Sequence, residues 1–305
     1  MDLRELRSFL TVAETLHFGR AAAALGISQP TLSQQVRRLE DDLGVALFER
    51  TSRRVRLTDA GHALLSGARR VVTDVERAER QCLDAAAGGA GHLTVAAIGA
   101  ALNSLVPPII AELRRQAPGL ALQLQQMDTA TLLPALRDGR LDVGVVRSAE
   151  PAPGLEIRPL IEEPMVVAVP AGHPLAALSE IQVERLRDEA FVLWPRSHSA
   201  GFHDQVFAVC QQAGFTPRVV MEGTDTETQL GLVSAGVGVS MQPASYSLLG
   251  RDGVTFLALP ERAPRSQIQV AWPTFASSPA VATFLEIATD IARGHGPVLR
   301  VGPYA

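Results

Sequence analysis

The segment Arg20-Ala21-Ala22-Ala23-Ala24-Leu25-Gly26-Ile27-Ser28-Gln29-Pro30-Thr31-Leu32-Ser33-Gln34-Gln35-Val36-Arg37-Arg38-Leu39 reads as a short helix, a turn and a second helix. Gly26 stands just past the alanine-rich run, where a left-handed cap is cheap for glycine. Ser28 is a good N-cap, and Gln29 and Pro30 occupy the first turn, where the missing proline N–H is no loss. Leu32, Val36, Leu39 and Leu43 then follow spacings of 4, 3 and 4, which predicts one buried stripe. Gln29, Ser33, Gln34, Arg37 and Arg38 lie largely off that stripe. Glutamine and arginine reach base edges bidentately, and serine suits phosphates or bases. Such a face on the second of two short helices is the sequence form of a helix-turn-helix. A three-helix bundle with a solvated face is the alternative that the pattern leaves open.

Working outward, Asp2 with Glu5 makes a capping-box-like start for a first helix running to about Leu16. Leu6, Phe9, Leu10 and Ala13 share one of its faces, and His17-Phe18-Gly19 interrupts it. Downstream, Leu47-Phe48-Glu49-Arg50 and Val55-Arg56-Leu57 flank Thr51-Ser52-Arg53-Arg54 as a β-hairpin with Arg50, Arg53, Arg54 and Arg56 in seven residues. A charge run alone is usually a solvated face. Directly after a helix-turn-helix, it is better placed to lay arginine along phosphates or into a narrow minor groove.

The run Phe18-Gly19-Arg20-Ala21-Ala22, Leu25-Gly26-Ile27-Ser28-Gln29-Pro30-Thr31-Leu32-Ser33-Gln34-Gln35-Val36, Leu39-Glu40, Leu43-Gly44, Leu47-Phe48-Glu49-Arg50 and Leu57-Thr58-Asp59-Ala60-Gly61 resembles the signature of LysR-type transcriptional regulators. His17 stands where that family usually has serine, which leaves Gly19 to start the helix. The resemblance implies a winged helix-turn-helix over 1–58, a dimerising linker helix over 59–88 and an effector-binding domain over 92–305. It implies that Gln29, Pro30, Ser33, Gln34 and Arg37 face the major groove or its flanking phosphates, and that Arg50 and Arg53, with Arg54 beside them, serve from the wing. It also implies double-stranded DNA, a small-molecule effector and the chain itself, as homodimer or homotetramer, as partners. RNA polymerase is a further candidate.

Thr58 can cap a helix running to about Ala87, where Gly88-Gly89-Ala90-Gly91 stops it. Thirty residues span ~45 Å, too long for one small domain to bury. Its apolar positions, Leu64, Leu65, Ala68, Val71, Val72, Val75, Ala78 and Cys82, suit packing on a second copy. A helix lying on its own domain is the alternative.

From residue 92 strands and helices alternate, predicting an α/β domain with a largely parallel sheet. Strands are expected at Leu93–Ile98, Leu120–Met127 and Leu141–Val146, with helices at Asn103–Gln116 and Thr131–Asp138. A second such unit starts at Met165–Val169 and continues through Phe191–Leu193, Phe202–Ala213, Arg218–Met221, Thr226–Ala235 and Gly238–Met241. Ile268–Trp272 and Ala280–Ala292 are expected to return to the first unit. The result is two lobes, about 92–161 plus 267–305 and about 162–266, resembling periplasmic solute-binding proteins. Ligands in such folds bind at strand C-termini and helix N-termini. The segment Ala100-Ala101-Leu102 follows one such strand, and Thr129 follows another. By resemblance, these four residues and Phe202 are the effector contacts, and a carboxylate is the expected effector. Relatives that answer to aromatic carboxylates usually have serine where Ala100 stands, so this position departs from that pattern. For Thr129, a plain helix cap is an equal alternative.

Bulk features exclude several chemistries. The 305 residues are 47% hydrophobic and 20% charged, ordinary globular usage. All 28 basic residues are arginine, which excludes a P-loop lysine and a lysine Schiff base. Residues 1–80 hold 13 arginines against 11 acids, and the remainder 15 against 21, so the basic end is where a polyanion would dock. The two cysteines, Cys82 and Cys210, make neither a disulfide framework nor a zinc site. A peroxide-sensing relative has a reactive cysteine where Cys210 stands and a second nine residues earlier, where this chain has Gly201; a buried structural thiol is expected instead. His198 and His203 do not match a zinc pair and are expected as surface or cleft residues. No Gly-x-Ser-x-Gly elbow and no nucleophile–base pair is legible. The expectation is a non-enzymatic cytoplasmic regulator with no cofactor, metal or membrane partner: no apolar run approaches ~20 residues and the first residues lack a secretory pattern. An α/β enzyme with a degenerate N-terminal domain and a solute-binding protein are the rival readings.

Overall fold

The computed structural model describes residues 1–50, 54–86, 91–260, 264–276, 278–294 and 302–303. The chain divides into two compact units, one built on Met1–Gly88 and the other on Gly89–Leu136 and Leu141–Ala305.

The first unit opens with α1 (Leu3–Thr15), whose capping box is complete: the Glu5 N–H donates to Asp2 at 2.9 Å and the Asp2 N–H to Glu5 at 2.8 Å. Helix α2 (Phe18–Leu25) starts differently from expectation. His17, rather than Gly19, is its N-cap, with Nδ1 accepting from the Gly19 and Arg20 N–H groups at 3.1 and 3.2 Å. The imidazole thus meets the orphan donors that a serine hydroxyl would meet. Gly26 ends α2 at φ 66°, and Ser28 caps α3 (Gln29–Leu43) through the Thr31 N–H. Leu6, Phe9, Val12, Ala21, Leu32, Val36, Leu39, Leu47 and Phe48 form the core. Leu43 departs from the predicted stripe: it is 40% exposed, because the last turn of α3 runs past the core before Gly44 turns the chain. Strands β1 (Phe48–Arg50) and β2 (Val55–Leu57) pair antiparallel as the wing.

Thr58 caps α4 (Asp59–Ala86) through the Gly61 N–H at 3.0 Å. The start of α4 lies against the α3–β1 connection so closely that a Cβ on Gly61 would sit 2.3 Å from the Leu47 carbonyl oxygen. The apolar stripe of α4 then divides. Leu64, Leu65, Ala68 and Val72 pack on the helix-turn-helix core, while Val71, Ala78 and Cys82 are exposed.

In the second unit, one sheet runs β4-β3-β5-β12-β6, from β3 (His92–Ala97), β4 (Ala121–Gln126), β5 (Val143–Arg147), β6 (Leu155–Glu163) and β12 (Ser266–Pro273). It is not largely parallel. Strand β3 is parallel to β4 and β5, but β12 is antiparallel to β5 and β6. The reason is connectivity: β6 leaves for the second lobe and β12 returns from it. This lobe also carries α5 (Gly99–Leu102), α6 (Val106–Gln116), α7 (Thr129–Arg137) and α10 (Pro279–Gly294). The single helix expected over 103–116 begins later, at Val106, with Pro107 and Pro108 in its first turn, where prolines are tolerated.

The other lobe holds β7 (Met165–Pro170), β8 (Ala190–Leu193), β9 (Arg218–Glu222), β10 (Ser240–Pro243), β11 (Val254–Ala258) and β13 (Gly302–Pro303), with α8 (Ala200–Gln212) and α9 (Thr226–Ser234). Strands β10-β7-β11-β13 form an antiparallel sheet, and β8-β9 pair in parallel beside it. Backbone bonds Val192 N–H to Val239 and Val239 N–H to Ala190 stitch β8 to the chain entering β10. Every parallel strand in the unit, β3, β4, β5, β8 and β9, ends on one cleft.

Candidate functional site

The first surface is α3. Gln29, Pro30, Gln34, Arg37 and Arg38 are exposed and Ser33 is half-buried, while Leu32, Val36 and Leu39 are sealed beneath them. Helical period causes this division, with 3.6 residues per turn placing Gln34, Arg37 and Arg38 on the outward side, while Gln35 turns inward to bond Ser8 of α1 at 2.5 Å. The face carries two guanidinium groups and no acid until Glu40.

The wing arginines differ from one another. Arg50 is already engaged: its Nη2 donates to Glu40 Oε2 at 2.6 Å, and its guanidinium lies 4.7 Å from the Phe18 ring centre. Glu40 Oε1 also accepts from the Leu47 and Phe48 N–H groups. Arg50 and Glu40 therefore brace the turn between α3 and the wing. Arg54 and Arg56 are exposed, and Arg53 lies outside the described residues.

The second site is a cavity of about 510 Å³ in the cleft of the second unit. Its lobe I wall comes from the ends of β3, β4 and β5 and includes Leu102, Asn103, Asp128, Thr129 and Arg147. Its lobe II wall comes from the ends of β8, β9 and β10 and includes Trp194, His198, Phe202, Asp225, Glu227 and Tyr246. Of the expected contacts, Leu102, Thr129 and Phe202 line the cavity. Ala100 and Ala101 do not: both are buried in the lobe I core, and Gly99 and Asn103 line the cavity around them. Thr129 is buried, and its hydroxyl accepts from the Arg147 N–H at 3.4 Å; the cap of α7 is Asp128, which accepts from the Thr131 N–H at 2.7 Å.

Arg147 was not anticipated from the sequence. It is 4% exposed. Nη1 donates to Ser266 Oγ at 2.6 Å and lies 2.7 Å from Glu163 Oε1, and the Tyr246 ring centre is 5.9 Å from the guanidinium carbon. Nε and Nη2 have no hydrogen-bond partner among the described residues. Burial pushes the Tyr246 phenol up, so it remains a neutral donor. The Thr228 N–H and then the Thr228 hydroxyl hold Asp225 below the usual carboxylate range, so it is ionised. His198 Nδ1 stands 3.6 Å from Asp128 Oδ2.

Family comparison joins the two sites. Residues 3–62 match the model for bacterial regulatory helix-turn-helix proteins of the lysR family, and residues 86–293 match the LysR substrate binding domain. The chain belongs to the LysR family. It is a LysR-type DNA-binding transcriptional regulator with an effector-binding domain. Similar relatives include the transcriptional regulator XapR of Escherichia coli, 36% identical over 290 residues (95% of this chain, 98% of XapR). AlsR of Bacillus subtilis is 32% identical over 287 residues (94% and 95%). Among solved structures, CbnR, a LysR family transcriptional regulator, superposes with a TM-score of 0.74 at 29% identity, covering 96% of this chain and 99% of that one. Full-length CbnR in complex with its target DNA gives 0.73 at 29% identity, covering 95% and 100%.

Within the LysR frame, the two thiol positions have a physical reading. Burial pushes the Cys210 thiol up to about 12, so it carries no reactive thiolate at neutral pH. Gly201 leaves no room for a second thiol. A Cβ there would lie 2.1 Å from the carbonyl oxygen of Ser148, the residue just after β5, whose φ is 45°.

Proposed function

We propose that this LysR-type chain reads a partly palindromic operator with Gln29, Pro30, Ser33, Gln34 and Arg37 of α3. Arg53 and Arg54 of the wing grip the backbone, and Arg50 holds the wing in place. The observation that carries this assignment is the clean division of α3 between a sealed leucine–valine side and an exposed glutamine–arginine side. The chain works as a dimer or tetramer. The exposed Val71, Ala78 and Cys82 line of α4 supports self-association, as do the exposed edge strands β4 and β9, which carry Leu124, Val219, Val220 and Met221. A small effector carrying a carboxylate binds in the cleft and shifts the regulator by preferring one arrangement of the subunits. RNA polymerase is a further partner.

The cleft binds without turning over its ligand. Asp128 and Asp225 are tied up as helix caps, and the Ser199 hydroxyl makes no hydrogen bond to a base among the described residues. A cytoplasmic location agrees with the absence, among the described residues, of any helix long and apolar enough to cross a membrane.

Gel retardation on the protein's own promoter region tests the reading. Gln34→Ala should change base preference by about 1–3 kcal/mol, and Arg37→Ala should weaken binding and flatten its salt dependence. Retardation by neither protein nor variants beyond that on random competitor, at any ionic strength, defeats the assignment.

A further inference from the structure

The cleft carries more negative than positive charge, which does not suit a ligand that is an acid and nothing else. Asp128, Asp225 and Glu227 line the cavity, and Arg147 is the guanidinium that faces them. Arg147 is itself balanced from behind by Glu163. Asp128 and Asp225 cap α7 and α9, so the N–H groups of Thr131 and Thr228, which a bound anion would otherwise use, are already taken. Glu227 interacts with Asp225, and among the described residues Arg147 is the one arginine that lines the cavity with them. A simple carboxylate entering here meets charge of its own sign in a partly desolvated space, where such repulsion is stronger than in water.

Arg147, which lines this cavity, has an unmet donor edge just behind the cavity wall. Nε and Nη2 of Arg147 are buried without a partner among the described residues. They share one edge of the guanidinium plane, the geometry that takes a carboxylate or another oxyanion through two parallel bonds. The cleft thus offers a place for one negative group and, across from it, a place for one positive group. Leu102, Trp194 and Phe202 supply apolar surface between.

Resting on the reading of this cleft as the effector site, we propose that the effector is a small zwitterion of amino-acid type. Its oxyanion pairs with the Nε–Nη2 edge of Arg147, and its ammonium group pairs with Asp225 and Glu227. A cavity of about 510 Å³ accommodates such a molecule with a medium-sized side chain.

Matched triplets test this on the full-length protein by calorimetric titration and thermal shift at fixed pH and ionic strength. One set is phenylalanine, 3-phenylpropionate and 2-phenylethylamine; the other is leucine, 4-methylpentanoate and 3-methylbutylamine. In at least one set the amino acid should bind at least about tenfold more tightly than the acid lacking the amine or the amine lacking the acid. Glu227→Gln, which removes charge from an exposed side chain that caps nothing, should weaken the amino acid at least about fivefold and leave the acid unchanged or tighter. Asp225→Asn, which keeps a capping side chain, should act in the same direction. The proposal is overturned if the simple acids bind as tightly as the amino acids, if Glu227→Gln leaves amino-acid affinity untouched, or if no member of either set binds. Retardation of promoter DNA on the same samples separates the two levels. Retained specific retardation with an acid-only ligand sinks the zwitterion and keeps the regulator reading; loss of specific retardation in the unmodified protein removes that reading itself.

Discussion

The exposed polar face of α3 and the cleft of the second unit are built in opposite ways. The face is one side of one helix, fixed when α3 forms and buries Leu32, Val36 and Leu39. Its polar side chains, the half-buried Ser33 apart, stay exposed to solvent. The cleft is assembled from the ends of six strands in two lobes, and several of its polar groups are already engaged, while Nε and Nη2 of Arg147 are not. Asp128 and Asp225 cap helices, Arg147 pairs with Glu163, and Tyr246 bonds Thr226. A surface made by one element tolerates substitution of single contacts. A site made by convergence depends on the packing that brings its parts together.

That contrast can be tested at graded cost. Leu32→Ala should lose about 2–5 kcal/mol of stability in the first unit. Chemical denaturation followed by retardation should show DNA binding lost while thermal shifts from cleft ligands persist; if both vanish together, the two regions do not fold independently. Gly201→Ala attacks the other side. Its new methyl meets the Ser148 carbonyl at 2.1 Å, so it should cost about 1–3 kcal/mol in the second unit and weaken ligand binding. Specific retardation without ligand should be preserved. His17→Ala should destabilise the first unit by about 1 kcal/mol, with His17→Ser close to neutral, as read by thermal melting. Leu43→Ser, one turn beyond the sealed stripe, should stay within about 0.5 kcal/mol. A large loss there would mean that the end of α3 is packed in the working assembly.

The exposed polar face of α3 was legible because helical periodicity is a local property. Gln29, Pro30, Gln34 and Arg37 can be placed outward from the spacing of the leucines alone. Where the local signal stopped, so did the reading. Leu43 fits the period but outruns the core, and the Glu40 and Phe18 contacts of Arg50 are not marked by any local pattern. In the cleft, Thr129 and Phe202 were reached through family likeness and His198 was expected at the surface or cleft, whereas Arg147, Asp225 and Glu227 were missed. They lie in separate segments, and nothing local marks them as neighbours. One signal was available: Gln126-Met127-Asp128-Thr129 and Thr224-Asp225-Thr226-Glu227 each follow a strand and open a helix, which is where open α/β sheets gather ligands. The strand β6 was overlooked because Glu156, Arg158, Pro159, Glu162 and Glu163 interrupt its apolar pattern, and with it the antiparallel half of the sheet.

The meeting of Gly201 with Ser148 leaves no side chain as a cushion at that one point of contact between the two lobes. Main chain rests directly on main chain there, as at the spine of a book. Such a joint permits the covers to swing but resists letting one slide past the other. Occupancy of the cleft would then be transmitted as a rotation about that spine, and any bulkier residue at position 201 would act as a doorstop.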